Sequence, residues 1–473
     1  MEKKVENKYS YLLKNIGILT LSNFGSKILT FLLIPLYTSV LTTSEYGTYD
    51  LYTTTLSLFI PILTLNIVDG VVRFSMDNEY NCNSVLSIGI KYILKSILCF
   101  FLIILLNHTF GFFKILDRYW IFLFFMYVGN VIYDLFIRFA RSIDKVKDVA
   151  IVSFFNTVIT LFFNILFLLV LKWGLIGYFS ATILAYLFSI LYLSYKLSVF
   201  DRYSTKNYDA NVDCEMVTYS KPLIVDTLSW WITNASDRYI IILLVGVAAN
   251  GIYSLAYKIP SVLNLFQSIF MQAWILSAVR EFDKNNSKFY SDIYNIYNAG
   301  MVIVCSLLII CDKLIARILF AKEFYGAWEY APLLMISVLF GSLCAVYNGI
   351  FNAAKQSRLL ARTTFFGAFL NVIGNLIFVK IYGPIGAAIS TLMSYFTVWA
   401  LRTYLMKNII ILSLPYFKQV ISYFVLIIQC IVLIKFNNLV LCYIFEVFLF
   451  ILIVILYKKD ILNIFIRLFR RIK

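Results

Sequence analysis

Histidine is nearly missing from this chain: His108 is the only one in 473 residues, and it lies in a short loop between apolar runs. Membrane chemistry that needs an imidazole inside a span therefore has no residue to use. Charge is scarce as well. Charged residues make up 14% of the chain against 61% hydrophobic, and the mean hydropathy is +0.84, too apolar for a protein that must keep a polar surface in water. A soluble domain is missing for the same reason. The longest polar stretch, VFDRYSTKNYDANVDCEMVTYSK at 199–221, suffices for a loop and a short surface helix but not for a folded catalytic domain with its own core.

Other absences exclude particular chemistries. There is no Walker A loop, so ATP is not the fuel. The first outward loop, TTSEYG at 42–47, is too short to hold a glycosyltransferase site, and the large outward loop of a polysaccharide polymerase is missing. None of the eight cysteines forms a C-x-x-C pair, and Cys99, Cys305, Cys311, Cys344, Cys430 and Cys442 sit in or beside apolar runs. They read as small core residues rather than metal ligands or redox groups, and no cofactor is implied.

What the chain has instead is a series of about fourteen apolar runs, each of about 20 residues, the length that crosses a hydrocarbon core of roughly 30 Å as a helix. The expected spans are 14–40, 50–72, 85–106, 117–138, 149–171 and 175–195, then 220–245, 249–277, 293–311, 329–352, 359–380 and 384–406, and finally 417–435 and 439–457. The first run follows a Lys-rich segment, as a signal peptide would, but it is too long for an h-region and lacks a small-residue cleavage site. It counts as the first span.

The formal charge is +16. The basic residues are scattered over short loops rather than clustered, which excludes a nucleic-acid footprint. Their placement follows the positive-inside rule: about 30 of the 41 Lys and Arg fall on the side shared by both termini, including Arg138, Arg141, Lys145 and Lys147, and about 8 on the other. Both termini are expected in the cytoplasm and the number of spans is expected to be even.

The chain also repeats itself. WGLIGYFSATILAY at 173–186 and YGPIGAAISTLMSY at 382–395 share Gly174/Gly383, Ile176/Ile385, Gly177/Gly386, Thr182/Thr391 and Tyr186/Tyr395 without a gap. Similar separations relate GTYDLY from Gly47 to GIYSLAY from Gly251, YDLFIRFARS from Tyr133 to YNGIFNAAKQ from Tyr347, and NFGSK ending at Lys27 to NASDR, Asn234 to Arg238. Six spans per copy means that both copies enter the bilayer from the same side, a parallel repeat of the kind used by alternating-access transporters. The expected organisation is an all-α polytopic membrane protein with an N-terminal lobe at 1–198, a cytoplasmic linker at 199–219, a C-terminal lobe at 220–407, two further spans within 408–457 and a tail at 458–473. The tail, KKDILNIFIRLFRRIK, is basic on one face and apolar on the other. It suits a helix on the anionic leaflet as well as it suits an ordinary positive-inside end.

Charges inside spans are costly and mark function. Thr20, Asn23, Lys27 and Thr30 fall within about 80° of one another on a helix, a polar stripe that must face protein or water. The matching helix of the second half turns Asp226, Trp230, Thr233 and Asp237 along one face, with Arg238 close by. In the second span of each half, NIVDGVVRF places Asp69 and Arg73 four apart, within ion-pair reach, and LAYKIP places Lys258 before the kinking Pro260. Plainer readings exist: an Asp69–Arg73 pair at a helix end, snorkelling of Arg73 and Lys258, or mutual compensation of Asp237 and Arg238. Lys27 has no carboxylate three or four residues away and is the least easily explained. Surplus cations directed into a cavity invite an anion, and Lys and Arg are the usual partners of phosphate oxygens.

With these features, the chain resembles the O-antigen (Wzx-type) polysaccharide flippases of the multidrug/oligosaccharidyl-lipid/polysaccharide exporter superfamily. The resemblance rests on NFGSKILTFLLIPLYTSVLTTSEYGTYDLY, NIVDGVVRF, NGIYSLAYKIP and FQSIFMQAW in order, with six plus six spans and two more. It implies a MATE-like fold and transport of an oligosaccharide linked to undecaprenyl pyrophosphate from the cytoplasmic to the periplasmic leaflet of a bacterial inner membrane, by a protein that is not an enzyme. Substrate binding then falls on Lys27, Arg73, Arg238 and Lys258 with Asn23 and Asn234. Asp69, Asp226 and Asp237 balance charge or bind a coupling H+ or Na+. Implied partners are the bilayer, a polysaccharide polymerase and a chain-length regulator. A multidrug or cation exporter of the same superfamily, expected to have an acidic surplus in its cavity and twelve spans, is the nearest rival. A flippase for lipid-linked peptidoglycan precursor and, from another class, a membrane glycosyltransferase or polymerase are the others.

Overall fold

A computed structural model describes residues 25, 27–77, 79–203, 208–280, 287–354, 356–436 and 438–472. Regular structure among them is entirely helical, as apolar surroundings demand, because only a helix or a closed barrel satisfies its backbone N–H and C=O groups without water.

The chain divides into two compact units, Met1–Trp231 and Ile232–Lys473. The first contains α1 (Lys27–Val40), α2 (Thr43–Leu63), α3 (Ile67–Ser75), α4 (Cys82–Phe110) and α5 (Trp120–Ser142). It continues with α6 (Val146–Val170), α7 (Gly174–Leu197) and the start of α8 (Ala210–Leu244). The segment expected to be a linker holds a short helix, Val199–Arg202, and the first turns of α8. The second unit takes up α8 and adds α9 (Val247–Ala256), α10 (Ser261–Arg280), α11 (Ser287–Leu319) and α12 (Ala331–Ala353). It ends with α13 (Ser357–Tyr382), α14 (Pro384–Met406), α15 (Tyr416–Lys435) and α16 (Leu439–Ile472), the last running through most of the basic tail without a break.

Among the described residues nine helices are each long and apolar enough to cross a membrane, and α2 with α3 makes a tenth across a 61° bend. The remaining spans are α1, α8, the broken pair α9–α10, and α11. These carry Lys27, Asp226, Asp237, Arg238, Lys258 and Asp312. In α8 and α11 these charges lower the apolar character of the span, whereas the described parts of α1 and α10 are apolar and short. Together they make the multi-pass architecture of six spans per half and two more. In most spans well under half of the apolar window is buried within the protein, leaving the rest for lipid; α12, with 78% buried, is the central helix of its unit.

Local rules account for the ends. Thr42 and Glu45 form a capping box at the start of α2: Glu45 N–H donates to Thr42 Oγ1 at 3.2 Å and Thr42 N–H to Glu45 Oε2 at 2.9 Å. The break after α2 has three causes in sequence. Pro61 removes a backbone donor, and Leu65 and Asn66 then take left-handed φ of 52° and 54°, a conformation that asparagine tolerates and that is strained for leucine. The second unit breaks at the equivalent place, between α9 and α10, where Pro260 follows Lys258.

The repeat is visible in packing as well as in sequence. A Cβ on Gly129 of α5 would meet Tyr186 Cβ at 2.9 Å, and one on Gly341 of α12 would meet the Tyr395 ring at 3.1 Å. The fourth and sixth spans of each half are thus held at glycine distance against the same repeated tyrosine. Fully buried tyrosines fill both cores, Tyr52 and Tyr127 in the first and Tyr290, Tyr294 and Tyr347 in the second, and several hydroxyls are tied down: Trp399 Nε1 donates to Tyr294 at 2.8 Å, Tyr52 accepts from Tyr119 N–H at 3.2 Å, and Tyr347 pairs with Thr403 Oγ1 at 3.0 Å.

Candidate functional site

In the first unit, α2, α5 and α7 line a half-open cavity of about 340 Å³. Leu56, Ile60, Pro61 and Met126 contribute apolar lining, and Asn130, Asp134, Arg138 and Thr182 polar lining. Tyr49 and Tyr186 supply aromatic faces. Tyr49 is fixed by stacking on Tyr178, ring centroids 3.7 Å apart, and by a 3.1 Å hydrogen bond with Thr182 Oγ1. Tyr186 OH accepts from Asn130 Nδ2 at 3.1 Å. Just below, Trp231 Nε1 donates to the Thr54 carbonyl and to Ser57 Oγ, both at 3.1 Å.

Charge enters this cavity through one arginine held between two carboxylates. Arg138 Nη1 donates to Asp69 Oδ1 at 2.7 Å and Arg138 Nε to Asp134 Oδ1 at 2.8 Å. The Asp134 pair is the i,i+4 contact of α5. The Asp69 pair depends on the α2–α3 break: Asn66, in its left-handed turn, donates from Nδ2 to Asp69 Oδ2 at 2.9 Å and aims the carboxylate across at α5. All three charged groups are half-buried, where Coulomb energy exceeds its value in water but is still partly screened.

This differs from the pairing that spacing suggests. Asp69 does not pair with Arg73 four residues on. Its two oxygens are taken by Asn66 and Arg138, while Arg73 lies exposed at the end of α3 and reaches Asp77 at 3.5 Å. Arg138, which sequence position assigns to the basic edge of the membrane, instead lines the cavity. Asp134, Arg138, Tyr49 and Asn130 had no place among the candidates read from sequence. The signal that could have found them is the D-x-x-x-R step inside YDLFIRFARS, a second charged pair within a span.

The other candidates are distributed as follows. Lys27 is exposed on α1, and among the described residues no carboxylate forms an ion pair with it. Asn23 lies outside the described residues. In the second unit Asp237 is 1% exposed and accepts from Tyr257 OH at 2.8 Å, Tyr253 OH at 2.9 Å and Arg238 N–H at 2.9 Å. The Arg238 guanidinium lies over the Tyr257 ring at 5.4 Å. Asn234 Oδ1 accepts from Tyr395 OH at 2.7 Å, Asp226 is exposed on α8, and Lys258 is half-buried in the break between α9 and α10. The structure thus brings Asp237 and Arg238 together around Tyr253 and Tyr257, and places Asp69 in a different unit with different partners.

The two units treat an equivalent position oppositely. The repeat aligns Asp134 with Asn348. Asn348 Oδ1 accepts from Arg402 Nη1 at 2.6 Å, and Arg402 also donates to Thr363 at 3.0 Å and Thr364 at 2.9 Å. Arg402 is 3% exposed, and among the described residues no carboxylate pairs with it. A guanidinium is therefore over-neutralised by carboxylates in the first unit and held by neutral acceptors in the second.

Among the described residues no cluster of three or more His, Cys, Asp or Glu side chains could hold a metal ion.

A family model described as polysaccharide biosynthesis protein matches residues 12–275. A probable low-salt glycan biosynthesis flippase, Agl15 of Haloferax volcanii, is 23% identical over 207 residues, 42% of this chain and 43% of that protein. The chain thus spans less than half the length of that relative. Among solved structures, a lipid II flippase, MurJ in an inward closed conformation, superposes with a TM-score of 0.72 over 94% of this chain and 99% of its own at 13% identity. An inward-facing multidrug resistance MATE family transporter of the MOP superfamily follows at 0.66, 13% identity, over 89% and 96%. At such identities the likeness is one of fold.

Proposed function

The chain belongs to the polysaccharide biosynthesis protein family, and on that premise we propose that it is a flippase for an oligosaccharide linked to undecaprenyl pyrophosphate, carried from the cytoplasmic to the periplasmic leaflet of a bacterial inner membrane by alternating access. The observation that carries this reading is the family match over 12–275, which contains all of the candidate cations, Lys27, Arg73, Arg238 and Lys258. In this reading those groups receive the pyrophosphate, and Asn23 and Asn234 add polar contacts. Asp69, Asp226 and Asp237 balance charge or take a coupling H+ or Na+. Both termini lie in the cytoplasm, and the released product goes to a polymerase and its chain-length regulator, as O-antigen or capsule repeat units do.

The test is translocation in proteoliposomes. A fluorescent lipid-linked oligosaccharide placed in the inner leaflet should become accessible to a lectin outside only when the protein is present. Protein-independent exposure, or none with well-folded protein, would remove the proposal.

One observation favours a second reading. An exporter of drugs or cations is expected to have an acidic surplus in its cavity, and the arginine that lines the first unit's cavity beside Asp134 is engaged by a second carboxylate, Asp69. Fourteen spans rather than twelve weigh the other way. Raised drug tolerance on overexpression in an efflux-deficient host would support the exporter.

A further inference from the structure

The first unit's cavity bears on which end of such a cargo the unit reads, an inference that rests on the flippase reading. Both oxygens of Asp69 are occupied, Oδ1 by Arg138 and Oδ2 by Asn66, and Asp134 Oδ1 is occupied by Arg138 Nε. The guanidinium is thus turned towards two carboxylates. A phosphate entering here would meet the Asp134 carboxylate and an arginine already engaged by two carboxylates, which amounts to selection against it. A small bare cation fits no better. The one carboxylate oxygen left without a partner among the described residues is Asp134 Oδ2, whereas cation sites built from oxygen use several. The space is also too large for an ion: about 340 Å³ compares with roughly 30 Å³ for a water molecule in the liquid and lies within the range of small-molecule sites.

What fits is a ring with apolar faces and a hydroxyl rim. Leu56, Ile60, Pro61 and Met126 provide apolar lining, Tyr49 and Tyr186 aromatic rings, and Asn130 Oδ1 and Asp134 Oδ2 are acceptors without partners among the described residues. Hydroxyl donors brought into such a site gain bonds that no protein group makes. We propose that this cavity is a saccharide subsite that takes one uncharged hexose-class residue of the lipid-linked glycan, with Asn130, Asp134 and Tyr186 reading its hydroxyls, while the pyrophosphate is bound by cations outside it.

The experiment uses full-length protein in lipid nanodiscs, with methyl glycosides of glucose, galactose and N-acetylglucosamine as probes and saturation-transfer NMR as readout. At least one glycoside should bind saturably, Asn130→Leu and Tyr186→Phe should each weaken it by about tenfold, and inorganic pyrophosphate should not compete. Lack of saturable binding by every glycoside, displacement by pyrophosphate or sodium, or unchanged affinity in both variants would overturn the subsite. Gel filtration and thermal midpoint check the fold. If either variant fails them, Thr53→Val at the cavity wall replaces it under the same criteria. The two readings fail separately: glycoside binding without translocation in proteoliposomes sinks the flippase and leaves the subsite, whereas translocation that both variants leave unchanged sinks the subsite and leaves the flippase.

Discussion

Arg138 Nη1 lies 2.7 Å from Asp69 Oδ1 although the two residues are 69 positions apart and belong to different spans. With Asp134 they form a triad whose energy should be non-additive, because removing the cation leaves two carboxylates facing each other, whereas removing it together with one carboxylate does not.

Arg138→Gln is therefore expected to lower thermal stability in detergent more than the double variant Asp134→Asn/Arg138→Gln does. The groups are half-exposed, so the coupling should be on the order of 1 kcal/mol. Melting curves of the two single variants and the double variant check this, and additive shifts would show that the triad is three independent surface charges.

Asn66 does two jobs, adopting φ of 54° and orienting Asp69. Asn66→Ala loses both and is expected to cost about 1–3 kcal/mol. Asn66→Gly restores only the backbone freedom and should recover part of the stability but not the Asp69 orientation. Equal stability of the two variants would mean that the left-handed φ costs alanine nothing, and parent-like stability of Asn66→Gly would mean that the side-chain bond contributes nothing; chemical denaturation of purified protein decides.

A pH dependence is expected where the first turn of α8 is tied to α4. Asp213 accepts from Lys91 Nζ at 2.8 Å and from Tyr208 OH at 2.7 Å. Burial by itself raises its pKa, but these donors outweigh it and hold the carboxyl below its usual 3.8. A lowered folded-state pKa contributes stability that is complete above the unfolded value and is lost as pH falls through the folded one. Thermal midpoints should therefore fall more steeply below about pH 4 in the parent than in Asp213→Asn. Parallel curves would remove Asp213 as a source of acid sensitivity.

Lys27 is exposed on α1 and, among the described residues, forms no ion pair with a carboxylate. Lys27→Ala should insert and express normally yet abolish surface polysaccharide, while Lys27→Arg should retain part of the activity. Normal glycan display from a well-expressed Lys27→Ala protein would take Lys27 out of the mechanism.

The membrane class, the positions of the spans and the duplication were legible because each is a property of local composition or of one segment compared with another. Apolar length sets what crosses a bilayer, and the Tyr186/Tyr395 match carries through to the packing against Gly129 and Gly341. The break at Pro61 and Asn66 was not foreseen: 50–72 reads as one unbroken span, although Pro61 lies inside it. Nor is the partner of Asp69 legible. Spacing along one helix offers Arg73, but the left-handed turn at Leu65–Asn66 rotates α3 so that Asp69 faces α5, and a side chain 69 residues away wins. In the same way, nothing local tells that Arg138 lines a cavity rather than the membrane edge, or that Asn348, aligned with Asp134, holds Arg402 without a carboxylate. Sequence determined which segments must leave water for the bilayer, since that follows from the residues' own transfer energies. Tertiary structure decided which charges meet, since pairing depends on distances between helices that no single segment encodes.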